Sequence, residues 1–211
     1  ARMKQIVELD EVGRSIVVEP GMVHLALDEF VKTKGLYYPP DPASRSECSI
    51  GGNIATNAGG PRCLKYGVTR DYVLGLQVAL ADGTLVRLGG RTHKNKAGFD
   101  LHRLFVGSEG LLGVVTEATL KLIPLPPFRA ALAVGYLTTK QATDARAAIF
   151  RGGFLPCALE VADSFTLAAA QKRTGNPMLA GCAGHLIIEM DGQPRSVRTE
   201  LKHVEKIART E

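Results

Sequence analysis

The chain has 211 residues, of which 45% are hydrophobic and 22% charged, so it can bury one large core or two modest ones. Its net charge of +5 suits an anionic ligand. However, only 6% of the residues are aromatic and none is Trp, so the scattered basic residues lack the stacking partners of single-strand nucleic-acid binding. We therefore predict no nucleic-acid partner.

Other functional classes are also disfavoured by simple patterns. No apolar run approaches the roughly 20 residues of a membrane-spanning helix, so no transmembrane segment is predicted. The four cysteines are widely spaced and the five histidines are dispersed, which predicts reduced thiols and no metal site. Without an apolar leader at residues 1–5, a cytoplasmic location is expected, with membrane association only through partners.

Strands dominate the first half of the chain. Residues 22–34 carry apolar residues at helical spacing before Gly35, and residues 100–105 form a second, short helix. Asp82-Gly83 is a strong hairpin signal. The predicted strands are residues 5–9, 15–19, 73–81, 84–88 and 114–123. A loop rich in Pro, Ser and Gly occupies residues 37–60.

The second half alternates between strands and helices. Pro124, Pro126 and Pro127 interrupt the pattern, and we place a domain boundary there, giving domains 1–127 and 128–211. The predicted strands are 131–137, 158–161 and 185–190, and the predicted helices are 140–150, 164–172 and 194–209. The fold class is α+β, with a small sheet covered by helices on one face in the second domain. The chain begins in a strand pattern and stops in a helical one, as an internal fragment would.

The loop at residues 39–60 is too long and too rich in small residues to be only a connection. Gly51-Gly52 and Gly59-Gly60 let backbone approach a flat ligand closely, while Asn53, Thr56 and Asn57 offer hydrogen-bonding groups between them. Residues 53–58 are compatible with one helical turn whose free N–H groups favour a phosphate. The alternative is that the paired glycines only build turns.

Familiar nucleotide motifs are absent. The sequence contains no G-x-x-x-x-G-K-[ST], and Gly107, Gly110 and Gly113 do not have the spacing of G-x-G-x-x-G. A dinucleotide would therefore bind in some way other than on a Rossmann fold. For residues 107–116, a tight turn feeding a core strand is the alternative to a ligand site.

Three separated blocks occur in the order and spacing of one family. They are the loop at 39–60, the tripeptide Lys65-Tyr66-Gly67, and residues 105–117 with the sequence FVGSEGLLGVVTE. Together they resemble the FAD-linked oxidases of the vanillyl-alcohol oxidase superfamily, especially the glycolate oxidase flavoprotein subunit and the D-lactate and D-2-hydroxyglutarate dehydrogenases. The resemblance implies the second subdomain of a PCMH-type FAD-binding domain, followed by part of an α+β cap domain.

The resemblance also implies FAD as cofactor and a set of positions that contact it. Near the isoalloxazine and the chain leading from it would lie Asp41, Pro42, Ser49, Ile50, Gly51, Gly52, Asn53, Thr56 and Asn57. Tyr66 and Gly67 would continue that wall. Glu109, Gly113, Val114 and Val115 would pack at the ribose and adenine end, with backbone groups of Val115 reading the adenine edge.

The implied activity is oxidation of a small D-2-hydroxy acid, such as glycolate or D-lactate, to the 2-oxo acid. Hydride would pass to the flavin, and electrons onward to a quinone, a cytochrome or a partner subunit in a homo- or hetero-oligomer. The family's pyrophosphate loop and its Gly-Asp-Gly-Asn-x-His segment are missing from this sequence. The catalytic residues therefore stay unknown.

Alternatives remain open at this stage. The chain could be a non-catalytic FAD-binding or assembly module that needs a partner, or an α+β interaction domain with coincidental glycines. His93, Lys94 and Lys96 could steer acidic substrates, although a solvated basic loop is the favoured explanation. Cys48 lies near the expected flavin, but its offset from Gly51-Gly52 argues against a covalent link.

Overall fold

The computed structural model describes residues 2–210, excluding the side chain of Met178. The chain forms two compact units, Ala1–Leu125 and Pro126–Glu211. The first contains a five-stranded antiparallel sheet in the order β1-β2-β6-β4-β5 and a two-stranded sheet of β3 and β7. The strands are β1 Ile6–Asp10, β2 Ser15–Val18, β3 Leu36–Tyr37, β4 Val73–Ala79, β5 Leu85–Gly89, β6 Val114–Lys121 and β7 Ile123–Pro124.

Four short helices accompany these strands, together with a 3-10 turn at Thr69–Tyr72. They are α1 His24–Lys32, α2 Ile50–Thr56, α3 Cys63–Tyr66 and α4 Leu101–Phe105. Leu27 and Val31 of α1 share one apolar core with Ile50 and Ile54 of α2 and with the inward residues of the central strands, such as Leu120. Their spacing of four residues places each pair on one helical face.

The loop predicted for residues 37–60 is interrupted by α2, so that part of the prediction is wrong. The helix begins at Ile50 and not at 53, since the hydroxyl of Ser49 caps it by accepting from the amide of Gly52. It ends at Thr56, and the next residue, Asn57, caps it with a left-handed φ of 50°. Burial of Ile50 and Ile54 outweighs the low helix propensity of two glycines.

The hairpin at Asp82-Gly83 is confirmed. Gly83 has a φ of +84°, and the carboxylate of Asp82 accepts from the amide of Thr84 at 2.9 Å. Strands β4 and β5 pair on either side, with Val78 opposite Val86.

The second unit is a three-stranded antiparallel sheet in the order β8-β10-β9, with helices packed on it. Its elements are β8 Phe128–Tyr136, α5 Thr139–Arg151, β9 Ala158–Asp163, α6 Ser164–Thr174, β10 Gly184–Gly192 and α7 Pro194–Thr210. Leu186 and Ile188 of β10 are fully buried against Ile149 of α5 and Val204 of α7. The predicted α+β class is confirmed.

Within residues 2–210, no helix combines the length and the apolar character that a membrane span requires.

Leu120 lies on the central strand β6 and is fully buried, whereas Leu85 on the edge strand β5 is 60% exposed. We expect Leu120→Ala to lower the free energy of unfolding by about 2–5 kcal/mol, because it leaves a cavity in the core. The matched change Leu85→Ala should stay within about 0.5 kcal/mol. Urea unfolding followed by circular dichroism measures both, and equal losses would contradict this assignment of the core.

Candidate functional site

A pocket of about 350 Å³ opens in the first unit between the start of α2, the turn after β2 and the segment that leads into β6. Its lining residues are Pro20, Gly21, Ser49, Gly51, Gly52, Ala55, Phe105, Ser108, Gly110, Gly113, Val114 and Val115. Among these described residues none carries a charged side chain, and only two serines offer a polar one. Recognition here therefore depends on backbone groups and on shape.

One wall of the pocket is a strand edge. Pairing between β2 and β6 stops at Val18 opposite Ala118, because the chain then turns toward residues 3–5, where Gly21 donates to the carbonyl of Met3 at 2.8 Å. Residues 114–117 of β6 therefore pair with β4 alone. Since alternate residues of an antiparallel strand direct their N–H and C=O groups to opposite sides, some of these groups point away from β4, on the side that β2 leaves uncovered.

The opposite wall is α2, which is fixed to the turn after β2. The amide of Ile50 donates to the carbonyl of Met22 at 2.9 Å, and that of Gly51 donates to Pro20 at 2.8 Å. With the Ser49 hydroxyl accepting from Gly52, the amides at the start of this helix already have partners within the chain. The predicted phosphate site at free helix amides is therefore wrong.

The segment 105–113 closes the pocket from the side. The amide of Gly107 donates to Ile54 at 2.8 Å, and that of Glu109 donates to Ala55 at 2.9 Å, which ties the segment to the end of α2. Arg70 adds a 2.9 Å bond from its guanidinium to the carbonyl of Val106. Gly110 has a φ of +80°, a conformation that side chains rarely adopt.

Some glycines of the two pairs are required by the packing of the chain, and Gly52 instead leaves open space at the pocket. A Cβ on Gly51 would lie 2.7 Å from the Cβ of Pro20, and one on Gly60 would lie 2.1 Å from the carbonyl oxygen of Asp41, so the chain's own packing requires both glycines. A Cβ on Gly52 would meet only the hydroxyl of Ser49, at 3.3 Å. Gly52 thus presents bare backbone to the pocket, as a cradle for a flat ring would.

Two family models cover most of the chain. Residues 1–89 match the FAD binding domain, and residues 125–211 match the C-terminal domain of FAD linked oxidases. The chain belongs to the FAD-linked oxidases. Its cofactor is FAD, and the resemblance predicted from the sequence is confirmed.

Two glycolate oxidase subunits are similar to this FAD-linked oxidase chain along nearly all of its length, and a dehydrogenase is similar to a part of it. Glycolate oxidase subunit GlcD of Bacillus subtilis is 43% identical over 98% of this chain and 44% of its own length, and GlcD of Escherichia coli K12 is 41% identical over 98% of this chain and 41% of its own length. The D-2-hydroxyglutarate dehydrogenase of Stutzerimonas stutzeri is 47% identical over 63% of this chain and 29% of its own. The chain thus spans less than half the length of these relatives.

A solved structure of alkyldihydroxyacetonephosphate synthase superposes with a TM-score of 0.82 over 99% of this chain and 40% of its own. The identity is 22%, so this likeness establishes the fold alone.

Six of the predicted FAD contacts of this FAD-linked oxidase line one pocket although they lie far apart in sequence. They are Ser49, Gly51, Gly52, Gly113, Val114 and Val115. Their contact with FAD remains a prediction, and their convergence supports it.

The other predicted contacts lie outside that lining. Ile50 is fully buried in the core, and the Asn53 amide is buried and bonded to His24 at 3.0 Å. The carboxylate of Asp41 is ion-paired with Arg62. These side chains stabilise the loop from within, and their contact with FAD stays a prediction.

Five further positions also lie away from the pocket. Thr56 donates its hydroxyl to the carbonyl of Gly52 at 3.0 Å, and Asn57 accepts from the amide of Arg70 at 2.9 Å. Pro42 is buried and Glu109 is exposed. Tyr66 packs edge-on against Tyr37 at 5.9 Å.

Gly67, with a φ of +84°, adjoins Asp71 so closely that a Cβ would lie 2.3 Å from its carboxylate. The backbone turn at this position is therefore reserved for glycine.

Six lining residues were not among the predicted contacts, namely Pro20, Gly21, Ala55, Phe105, Ser108 and Gly110. The last three fall within the family block at 105–117, which is the signal that could have identified them. The turn at Pro20 gave no such signal, because its place in the pocket depends on where β2 ends.

Two potential reactive groups stay outside the chemistry of the pocket. Burial raises the pKa of the Cys63 thiol, and the bond that its sulfur accepts from the amide of Gly60 at 2.9 Å partly opposes this shift. Cys48 does not line the pocket. Within residues 2–210, no three His, Cys, Asp or Glu residues lie together as a metal site.

The division among the glycines can be tested by three alanine variants of the FAD-linked oxidase. Gly51→Ala and Gly60→Ala should each lower the free energy of unfolding by about 1–3 kcal/mol, because the new methyl group overlaps Pro20 or Asp41. Gly52→Ala should change it by less than about 1 kcal/mol, since Ala also favours the helix. Thermal unfolding of the three variants measures these changes. A loss of stability in Gly52→Ala as large as in the other two would mean that the space beside Gly52 is not open.

Proposed function

We propose that the pocket holds one part of FAD, with the uncovered edge of β6 meeting the polar rim of a ring and the bare backbone of Gly52 supporting a flat surface. Its volume of about 350 Å³ lies near the lower end of small-molecule pockets, which suits a part of the cofactor. The convergence of Gly52 with Val114 and Val115 supports this proposal.

The residues of the pocket have simple roles in this proposal. Val114 and Val115 offer backbone N–H and C=O groups, which pair with a heterocycle as they would with another strand. The apolar wall of Pro20 and Phe105 excludes water from that contact. Because the lining is uncharged, the chain's charged groups would act on the cofactor only from a distance.

For the whole protein we propose FAD-dependent oxidation of a small D-2-hydroxy acid to the 2-oxo acid. When bound, FAD supplies the acceptor for the hydride that leaves the hydroxyl-bearing carbon. The glycolate oxidase subunits and D-2-hydroxyglutarate dehydrogenase among the relatives support this substrate class. Residues 128–211 are proposed as part of a cap domain, and the electron acceptor as a quinone, a cytochrome or a partner subunit.

A second candidate is an FAD-binding module without catalysis of its own. The absence of an acidic or basic side chain among the described lining residues favours it, because a general acid or base must reach the reacting group.

The two candidates differ in the response of the whole protein to substrate. We expect the purified protein to be yellow, and glycolate, D-lactate or D-2-hydroxyglutarate to bleach the flavin absorption under anaerobic conditions. Yellow protein that none of these acids bleaches would favour the binding module. Colourless, folded protein that takes up no added FAD would contradict both.

The pocket itself is tested by Gly52→Val, which places a branched side chain where a ring would lie. We expect the affinity for FAD to fall at least about tenfold, which corresponds to about 1.4 kcal/mol of lost binding free energy. The matched control is Gly90→Val, since a Cβ on Gly90 meets nothing within 4 Å and this glycine lies outside the pocket. Wild-type affinity for FAD in Gly52→Val would show that Gly52 is not part of the FAD site.

A further inference from the structure

His24 lies behind the wall of the pocket, where it contacts both ends of the loop 40–53. We propose that His24 is a positioning residue for FAD binding: its neutral imidazole joins Pro40 to Asn53 and so holds α2 at the distance that the pocket requires. This inference rests on the proposed function of the pocket. His24 itself does not line the pocket.

The imidazole has two hydrogen-bonding partners within the protein. Its Nδ1 lies 3.0 Å from the amide nitrogen of Asn53, and its ring also hydrogen-bonds the backbone carbonyl of Pro40. A carbonyl needs a donor and an amide nitrogen needs an acceptor, so the ring is neutral with the proton on Nε2. His24 is only 1% exposed, which keeps its ring away from bulk solvent.

Asn53 transmits this contact to the pocket. Neighbouring helical residues are separated by about 100° around the axis. Asn53 can therefore face the core while Gly52 faces the pocket, and Asn53 anchors the pocket wall from behind. The same wall is held below by the bond from Ile50 to Met22.

Backbone bonds from α1 reach the middle of the loop. The amide of His24 donates to Cys48 at 3.0 Å, and that of Leu25 donates to Arg45 at 2.9 Å. The imidazole also hydrogen-bonds Pro40 at the start of the loop and Asn53 in α2. Its ring also packs against that of Tyr38, with 5.4 Å between centroids.

Protonation would oppose this arrangement, because Nδ1 would then direct a donor at the amide of Asn53. Burial lowers the pKa of His24, and Asp28 on the same helix counteracts this. Arg45 from the loop and Lys32 from α1 lower it further, and the neighbouring Tyr38 and Cys48 carry no positive charge. Since the folded state prefers the neutral ring, the contribution is complete above about pH 6.5 and is lost as the pH falls below it.

The decisive comparison uses His24→Leu and His24→Gln in the whole protein, with FAD affinity measured by fluorescence between about pH 5 and 8. We expect Leu to weaken binding about tenfold at the upper end of this range, because two hydrogen bonds are lost. Gln, whose amide both donates and accepts, should stay within about threefold of the wild type. Wild-type affinity should fall as the pH drops through the acidic half of the range, and that fall should be absent in Gln.

The pH response needs one control, because burial also lowers the pKa of His102. His102→Gln should retain the acid-dependent loss of FAD if His24 is its source. Wild-type affinity in His24→Leu, or the same pH profile in His24→Gln, would overturn the proposal.

Hydrogen exchange separates this inference from the proposed function. In cofactor-free protein, His24→Leu should speed amide exchange across Ile50–Thr56, and His24→Gln should leave it unchanged. This expectation holds whether or not the wild type binds FAD. If the wild type binds no FAD, the proposed function fails. If exchange in Leu also equals the wild type, the positioning role fails independently.

Discussion

Two backbone hydrogen bonds determine the geometry of the site. The amides of Ile50 and Gly51 donate to the carbonyls of Met22 and Pro20, which ties the start of α2 to the turn that ends β2. The position of this turn also determines where the pairing of β6 with β2 ends. Because a buried amide without a partner is costly, the helix start and the turn stabilise each other, and the pocket lies between them.

Small residues in the loop serve two purposes that the sequence alone does not separate. Gly51 and Gly60 are small because neighbouring protein atoms occupy the space of a side chain, whereas Gly52 is small beside open space. Within Gly51-Gly52, the packing of the chain therefore requires the first glycine, and the second leaves space for a ligand. Asp41 also serves the fold, because its carboxylate stabilises the loop through an ion pair with Arg62.

Local patterns predicted the elements well where the relevant contacts are local. The alternation in β4 and β6 and the Asp82-Gly83 turn depend on near neighbours, and the family blocks identified the segments that line the pocket. The start of α2 and the burial of Asn53 could not be predicted, because His24 lies 29 residues from Asn53. The close contacts that distinguish Gly51 from Gly52 also arise only after folding.

The one-sided pairing of residues 114–117 has a consequence beyond recognition. A strand edge with unpaired backbone groups is a template for another chain, and here it adjoins Leu112 and Val114, which are 43% and 66% exposed. Any group that fills the pocket also covers this edge. Val114 and Val115 line the pocket, so a bound group would also shield their part of the strand edge from pairing with another chain.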